Sequence, residues 1–313
     1  MKKFNVVFFG TPDFSVPTLE MLHQHPLINI VKVITMPDRP SGRGQELKSP
    51  PVAEYAKTHK LPLLQTENIN REEIELENLA NAQVDFFLVI AFAQFLGSKL
   101  LNIPKLGAFN IHTSLLPKYR GAAPIQYALL NGDTSTGVSI QRMVKQMDAG
   151  DLCLSHPMDI APYENGGMLF TRLKFQAALS TADLIELIRT NKLTFTAQDE
   201  QKISFAPTLN KEDGHLKFGQ FKRHEIINRI RALDPWPSTY CFLNGTRLKV
   251  FEVENSDVSL AAGSTEFGQK GLLVGTLDGT LRLLSVQLEG KKRCSDFELL
   301  NGLKNKTNTF TIE

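Results

Sequence analysis

The sequence has no apolar run approaching the roughly 18 residues that a membrane-spanning helix needs. Its longest candidate, around Val84–Phe95, is interrupted by Asp85 and Gln94, so no membrane segment is expected. Cysteine is scarce: Cys153, Cys241 and Cys294 are far apart and odd in number. They supply neither a disulfide framework nor paired zinc ligands, which suits a reducing cytosol. Charge of one sign is lacking too. Lys and Arg total 35 against 33 for Asp and Glu, a formal net charge of +2, far from the basicity of a nucleic-acid coat. Any contact with RNA has to come from local patches. The turn Gly10-Thr11-Pro12-Asp13-Phe14 lacks the second and third glycines of a GxGxxG fingerprint, and Pro12 and Phe14 would obstruct a pyrophosphate. There is no GxxxxGK[ST] loop either. Neither a dinucleotide nor a metal is expected, since no His, Cys or Asp spacing repeats a ligand pattern. Met1-Lys2-Lys3 leads into Phe4–Phe9, too short for the apolar region of a secretion signal. A cytoplasmic protein acting as a monomer is the expectation.

What is present is an ordinary globular composition, 42% hydrophobic and 22% charged over 313 residues, with a length that favours two domains. In the first two thirds, Phe4–Phe9, Ile28–Thr35, Leu61–Leu64, Val84–Phe92 and Ala108–Thr113 read as strands. Between them, Val16–His25, with Ser15 as its N-cap, Val52–His59 and Arg71–Ala80 read as helices. Continuous apolar strands interleaved with helices predict a mostly parallel, doubly wound α/β sheet. After Gly137 come two strands, Val138–Val144 and Leu152–Ile160, and a long helix, Gly167–Arg189. Asn191–Pro207 is polar and without a period, hence a connector. Beyond it, His224–Arg231 is helical, and Thr239–Leu243, Arg247–Glu254, Gly271–Thr276 and Thr280–Gln287 are short strands between Asn-Gly and Asp-Gly turns. Those predict a small, barrel-like β domain.

An α/β sheet binds ligands beyond the carboxyl ends of its strands, and the strongest polar signal sits at such an end: Asn110-Ile111-His112-Thr113-Ser114. Residues two apart in a strand share a face, so Asn110, His112 and Ser114 should point together. A buried, unpaired polar group costs about 1–3 kcal/mol, so three on one face favour a site over incidental backbone bonding. Asp148, in Met147-Asp148-Ala149-Gly150-Asp151, either accepts backbone N–H groups within its own turn or turns inward to join that set. A carboxylate, an imidazole and an amide together suit acyl transfer to an amine. No nucleophile competes: Ser114 lacks a GxSxG elbow, and Cys153 falls mid-strand. Met36–Pro51, with four prolines plus Arg39, Arg43 and Lys48, is a basic loop that no core can absorb. It is either a phosphate-contacting loop or a solvated one. The string Lys291-Lys292-Arg293 leaves the same two readings.

The strings Asn110–Ser114, Leu115-Leu116-Pro117, Tyr119-Arg120-Gly121 and Met147–Asp151 resemble the folate-dependent formyltransferases. That resemblance implies a Rossmann-like sheet without dinucleotide and formyl transfer from 10-formyltetrahydrofolate to an amine. Three further segments resemble the members that act on methionyl-tRNA, here initiator methionyl-tRNA: Pro37–Gly44, Lys211–Gly214 with Ile230–Pro237, and Leu288–Leu300. The resemblance covers the whole chain and implies three parts: residues 1–190 as catalytic domain, 191–207 as linker, and 208–313 as an OB-like tRNA-binding domain. It also implies Asn110 and His112 on the oxyanion, His112 protonating the leaving N10, and Asp148 orienting His112 and helping to take the amine proton. Ser114, Leu115, Leu116, Pro117, Ile90 and Ala91 become the folate-binding set, and Arg39, Arg43, Lys291 and Lys292 the tRNA contacts. Two departures stand out. Gln45-Glu46 replaces lysines after Gly44, and Arg293-Cys294 follows Lys292 where small or Met residues are usual. A sugar-nucleotide formyltransferase and a non-catalytic tRNA-binding module are the alternatives.

Overall fold

The computed structural model describes residues 3–41, 44–303 and 311–312. They form two compact units. One comprises the chain up to Pro124 with Ser135–Asp159 and Phe170–Ala206; the other comprises Ile125–Thr134, Ile160–Leu169 and the chain from Pro207 onward.

The first unit is built on β1 (Phe4–Gly10), α1 (Val16–Gln24), β2 (Ile28–Thr35), a hairpin of β3 (Arg39–Ser41) and β4 (Glu46–Lys48), α2 (Pro51–Thr58), β5 (Leu63–Gln65), α3 (Glu73–Asn81) and β6 (Phe86–Ile90). Then follow α4 (Ser98–Leu101), β7 (Ala108–His112), β8 (Arg120–Gly121), β9 (Ser135–Arg142), β10 (Leu152–Asp159) and β11 (Phe205–Ala206). Of the helices between them, α5 (Pro124–Leu130) belongs after its first residue to the second unit, and α6 (Gly166–Arg189) belongs to the first from Phe170 onward. Seven strands make the main sheet in the order β10-β9-β7-β6-β1-β2-β5. β5, β2, β1, β6 and β7 run parallel, and β9 and β10 pair antiparallel beside them. Val6–Phe9 are fully buried and Phe86–Ile90 nearly so, which is why both strands read as unbroken apolar runs: each is covered on two faces. Phe9 meets Phe87 and Phe92 edge-on at 5.1 and 5.4 Å. Full burial of a ring, as at Phe9 and Phe87, contributes about 1.5–3 kcal/mol.

β1 takes β2 on one side and β6 on the other. That reversal opens a crevice beyond the carboxyl ends of the strands, where Gly10, Ile90 and His112 terminate theirs. Gly10 is required there: a Cβ would stand 2.8 Å from the Phe8 ring and from Ser15 Cβ.

Three local expectations change. Ser15 occupies the N-cap position of α1 without capping it; its Oγ donates instead to Ile90 O at 2.9 Å, tying the helix start to the end of β6. The loop Met36–Pro51 contains the β3–β4 hairpin, with Arg39 opposite Lys48; strands of three residues are too short to show a period. The connector 191–207 is not a free tether. Thr196 exchanges backbone bonds with Leu152 at 2.8 and 2.9 Å, and β11 pairs in parallel with β8.

The second unit adds α7 (Arg223–Ala232), β12 (Thr239–Leu243), β13 (Thr246–Ser256), β14 (Thr265–Gly268), β15 (Gly271–Thr276), β16 (Gly279–Leu288), β17 (Cys294–Ser295) and α8 (Asp296–Leu303). β14, β17 and α8 were not legible as elements. The sheet is antiparallel, in the order β12-β13-β16-β15-β14, with β17 on β16. Asn244 and Gly245, both at positive φ (47° and 74°), make the tight β12–β13 turn, as Asn-Gly does in hairpins. Bulges at Glu252 bend β13 around a core that includes Leu216, Phe218, Ile226, Leu248, Leu272, Leu283 and Leu299. This is the expected small β domain. No ladder among the described residues joins β12 to β14, so the sheet is bent without being closed by pairing.

Candidate active site

β7 presents Asn110 opposite Gln141 of β9, and His112 opposite Ser139. The β9–β10 connection carries Asp148 at φ 50°, a left-handed conformation that Asp tolerates better than most side chains. Its carboxylate is gripped from three sides. Oδ1 accepts from Asn110 Nδ2 at 3.3 Å and from Gln141 Nε2 at 3.0 Å; Oδ2 accepts from the Gly121 N–H at 2.9 Å. His112 Nδ1 lies 3.7 Å from the same Oδ2. Three donors on about four lone-pair positions leave one free direction, and His112 stands close to it.

The other His112 nitrogen fixes the tautomer. Nε2 is 2.8 Å from Tyr119 O, and a carbonyl has no hydrogen to give, so Nε2 carries the N–H. Nδ1 is therefore the position where the ring gains or loses a proton, and it faces a carboxylate. Side-chain exposure is 7% for His112 and 10% for Asp148, a setting in which charges act with little screening. This narrows the expected role of His112. Its Nε2–H is committed to Tyr119, so any donation to a reacting atom comes from Nδ1.

Asn110, His112 and Asp148 are thus brought together. Ser114 is not. β7 ends at His112, so the two-residue alternation stops there; Ser114 is fully buried, and its Oγ donates to Lys118 O at 2.6 Å. Of the other expected folate contacts, Leu115 and Pro117 are half-buried and Ala91, at φ 46°, is exposed where β6 ends. Leu116 is 6% exposed, while Ile90 is completely enclosed, so its side chain lines no open surface.

Among the expected tRNA contacts, Arg39 pairs with Glu67 at 3.3 Å on the surface, and Arg43 lies outside the described residues. Lys291 and Lys292 are exposed. Arg293 does not extend that pair into a free triplet: its guanidinium bonds Glu252 at 2.5 Å and Ser285 Oγ at 2.7 Å and lies over the Phe251 ring.

Gln141, Tyr119 and Gln198 contact the Asp148–His112 set and were missed from the sequence. Gln141 is 2% exposed, and only its register against Asn110 reveals it. Gln198 lies in the polar connector, where nothing in the sequence sets it apart. Cys153 offers no nucleophile: burial pushes its thiol up to about 12, and Sγ lies 3.3 Å from Ile140 O. Among the described residues, no three His, Cys, Asp or Glu side chains converge as a metal ligand set.

Comparisons with known proteins cover both units. The formyl transferase domain matches residues 2–182, and the formyl transferase C-terminal domain matches residues 208–304. A methionyl-tRNA formyltransferase of Syntrophus aciditrophicus is 39% identical over 312 residues, 99% of each chain. Another, of Geobacter metallireducens, is 37% identical over 305 residues, 97% of each chain. Among solved structures, the sugar 3N-formyl transferase WlaRD, studied with dTDP and 5-N-formyl-THF, superposes with a TM-score of 0.65 at 18% identity. The match covers 93% of this chain and 100% of that one, a likeness of fold. With both domains matched in order and relatives aligned almost end to end, the chain belongs to the formyl transferase family, and within it to the methionyl-tRNA formyltransferases.

Proposed function

We propose that the chain transfers a formyl group from 10-formyltetrahydrofolate to the methionine α-amine of initiator methionyl-tRNA, in the cytoplasm and as a monomer. The observation that carries this reading is the Asp148 carboxylate, oriented by Asn110, Gln141 and Gly121 and opposed by His112 Nδ1. The donor supplies an activated formyl carbon and N10 as the leaving nitrogen. The α-amine forms the new C–N bond and loses a proton, the C–N10 bond breaks, and N10 gains a proton. One proton is released and one consumed, so a single exchanging position can serve both events. His112 Nδ1 is that position, and Asp148 steadies the ring while it is charged. Asn110 Nδ2 spends one hydrogen on Asp148; the second stabilises charge developing on the formyl oxygen. Ala91, Leu115 and Pro117 bound the donor pocket. Arg39, Arg43, Lys291 and Lys292 contact the phosphates of the tRNA.

The direct test is formylation by the purified full-length protein, with methionyl-tRNA and, separately, an amino-sugar nucleotide as acceptors. Methionyl-tRNA is expected to be formylated and the sugar nucleotide left untouched; the reverse pattern would assign the chain to sugar modification. A second test addresses binding of tRNA. Removing one lysine–phosphate interaction lowers the log–log salt slope of binding by roughly 0.7–0.9. Lys291→Ala with Lys292→Ala is therefore expected to flatten the slope by about 1–2 and to raise KM for methionyl-tRNA, leaving folate affinity alone. An unchanged slope would mean that these lysines are merely solvated.

A further inference from the structure

We infer that Gln198 is a positioning residue of the transfer reaction: it holds the Asp148 carboxylate in place through the backbone of the turn that carries it. The inference rests on the function proposed above and goes beyond it, because Gln198 lies in the polar connector and need not touch either substrate.

The geometry of the amide is closely determined. Gln198 Nε2 donates to two carbonyls, Asp148 O at 2.8 Å and Gly150 O at 2.7 Å, with Gln141 Oε1 farther off at 3.4 Å. Two short bonds use both of its hydrogens. Gln198 Oε1 accepts from Arg120 Nε at 3.1 Å and from an Arg120 terminal nitrogen at 2.8 Å. Arginine only donates and carbonyls only accept, so the amide can sit one way round. The residue after Arg120 is Gly121, whose N–H binds the Asp148 carboxylate. Asp148 is therefore held twice: at its side chain by Asn110, Gln141 and Gly121, and at its main chain by Gln198.

A second restraint is needed because the turn opposes itself. The left-handed conformation of Asp148 costs an L-residue on the order of 1–2 kcal/mol, so outside bonds have to maintain it. Gln198 is in turn held by its neighbours in the connector. Phe195 stacks on Phe109 with rings 4° from parallel, the Arg142 guanidinium lies 4.7 Å over the Phe195 ring, and Thr196 bridges Leu152. Farther along, Ser204 Oγ accepts from the Tyr119 N–H at 2.9 Å, and Tyr119 O is the acceptor that sets the His112 tautomer. One stretch of connector thus supports the backbone behind both His112 and Asp148.

The test compares full-length parent, Gln198→Met and Gln198→Ala. Methionine keeps the length of the side chain and removes its hydrogen bonds; alanine removes both. Misplacing a reacting group by about 1 Å costs on the order of 10²-fold in rate. Both variants are expected to lose roughly that in kcat, with KM for folate and for acceptor within about twofold of the parent. The pH–rate profile should move, since the groups that relax are His112 and Asp148; a residue serving stability alone would leave it unchanged. Hydrogen exchange of residues 146–151, read by mass spectrometry without substrate, should quicken in the folded Gln198→Met protein. Parental kcat in folded Gln198→Met, a loss confined to KM, or unchanged exchange would overturn the inference. Assaying the parent on both acceptors separates the two questions. If it formylates only the sugar nucleotide, the proposed function falls, and Gln198 is judged on that acceptor. If it formylates neither, the exchange measurement decides.

Discussion

Asp148→Asn is expected to lower turnover by about 10²–10⁴-fold, the usual range for losing a positioned acid–base partnership. The folded state should persist. The carboxylate accepts on both oxygens, from Asn110 and Gln141 on one side and from Gly121 on the other. An amide accepts on one side only, so whichever way the substituted side chain is turned, its NH₂ meets an N–H. The mismatch costs about 1–3 kcal/mol, less than a typical domain has to lose. The imidazole also loses the anion beside Nδ1, which no neutral amide replaces. His112→Ala removes the exchanging position itself and should fall in the same range. The measurement is single-turnover formylation beside a thermal melt. Full activity in a folded Asp148→Asn variant would end the assignment of Asp148 as the group that orients His112.

Gly150→Ala is expected to damage both stability and rate. A Cβ at Gly150 would lie 1.7 Å from Arg142 O, an overlap that no rotamer relieves because the main chain fixes the Cβ and Arg142 O is itself main chain. Arg142 cannot retreat freely: its N–H bonds Asp151 O at 2.9 Å, and its side chain reaches Leu106 O. Forced overpacking typically costs about 1–3 kcal/mol, roughly 2–4 °C of melting temperature per kcal/mol for a folding unit of about 150–250 residues. Asp148 lies two residues away, so turnover should fall by on the order of 10²-fold as well. Gly302→Ala is the control. Among the described residues nothing stands within 4 Å of a Cβ there, so alanine in this last helical turn should leave melting and turnover at the parental level. Parental melting and turnover in Gly150→Ala would show that the turn has slack the structure does not suggest.

The strand core was legible because β1 and β6 are covered on both faces, and burial on two faces writes itself as an unbroken apolar run. Asn110 and His112 were legible because polar side chains at the end of such a run need a reason, whereas Asp148, in a turn before a glycine, left two readings open until the structure turned it toward them. Ser114 was misjudged by extending a two-residue period past the end of its strand. Gln141 and Gln198 could not be found that way. What identifies Gln141 is its register opposite Asn110, and what identifies Gln198 is a bond made across fifty residues of chain. The hairpin in the basic loop and the pairing of β11 escaped for a related reason: segments of two or three residues carry no period, and only a partner strand makes them strands.

The order of the main sheet has one more consequence, for behaviour at high concentration. A sheet exposes two rows of unsatisfied backbone groups, one along each outermost strand, and those rows are where unrelated copies zip together into aggregates. Here one border is β5, only three residues long. The other is β10, where Pro157 has no N–H to offer an arriving strand, Asp159 ends the strand with a charge, and Leu152 is already occupied by Thr196. Neither border gives a newcomer a continuous template. The main sheet should therefore resist edge-to-edge association, while its apolar stretches Val6–Phe9 and Phe86–Ile90 remain shielded inside it.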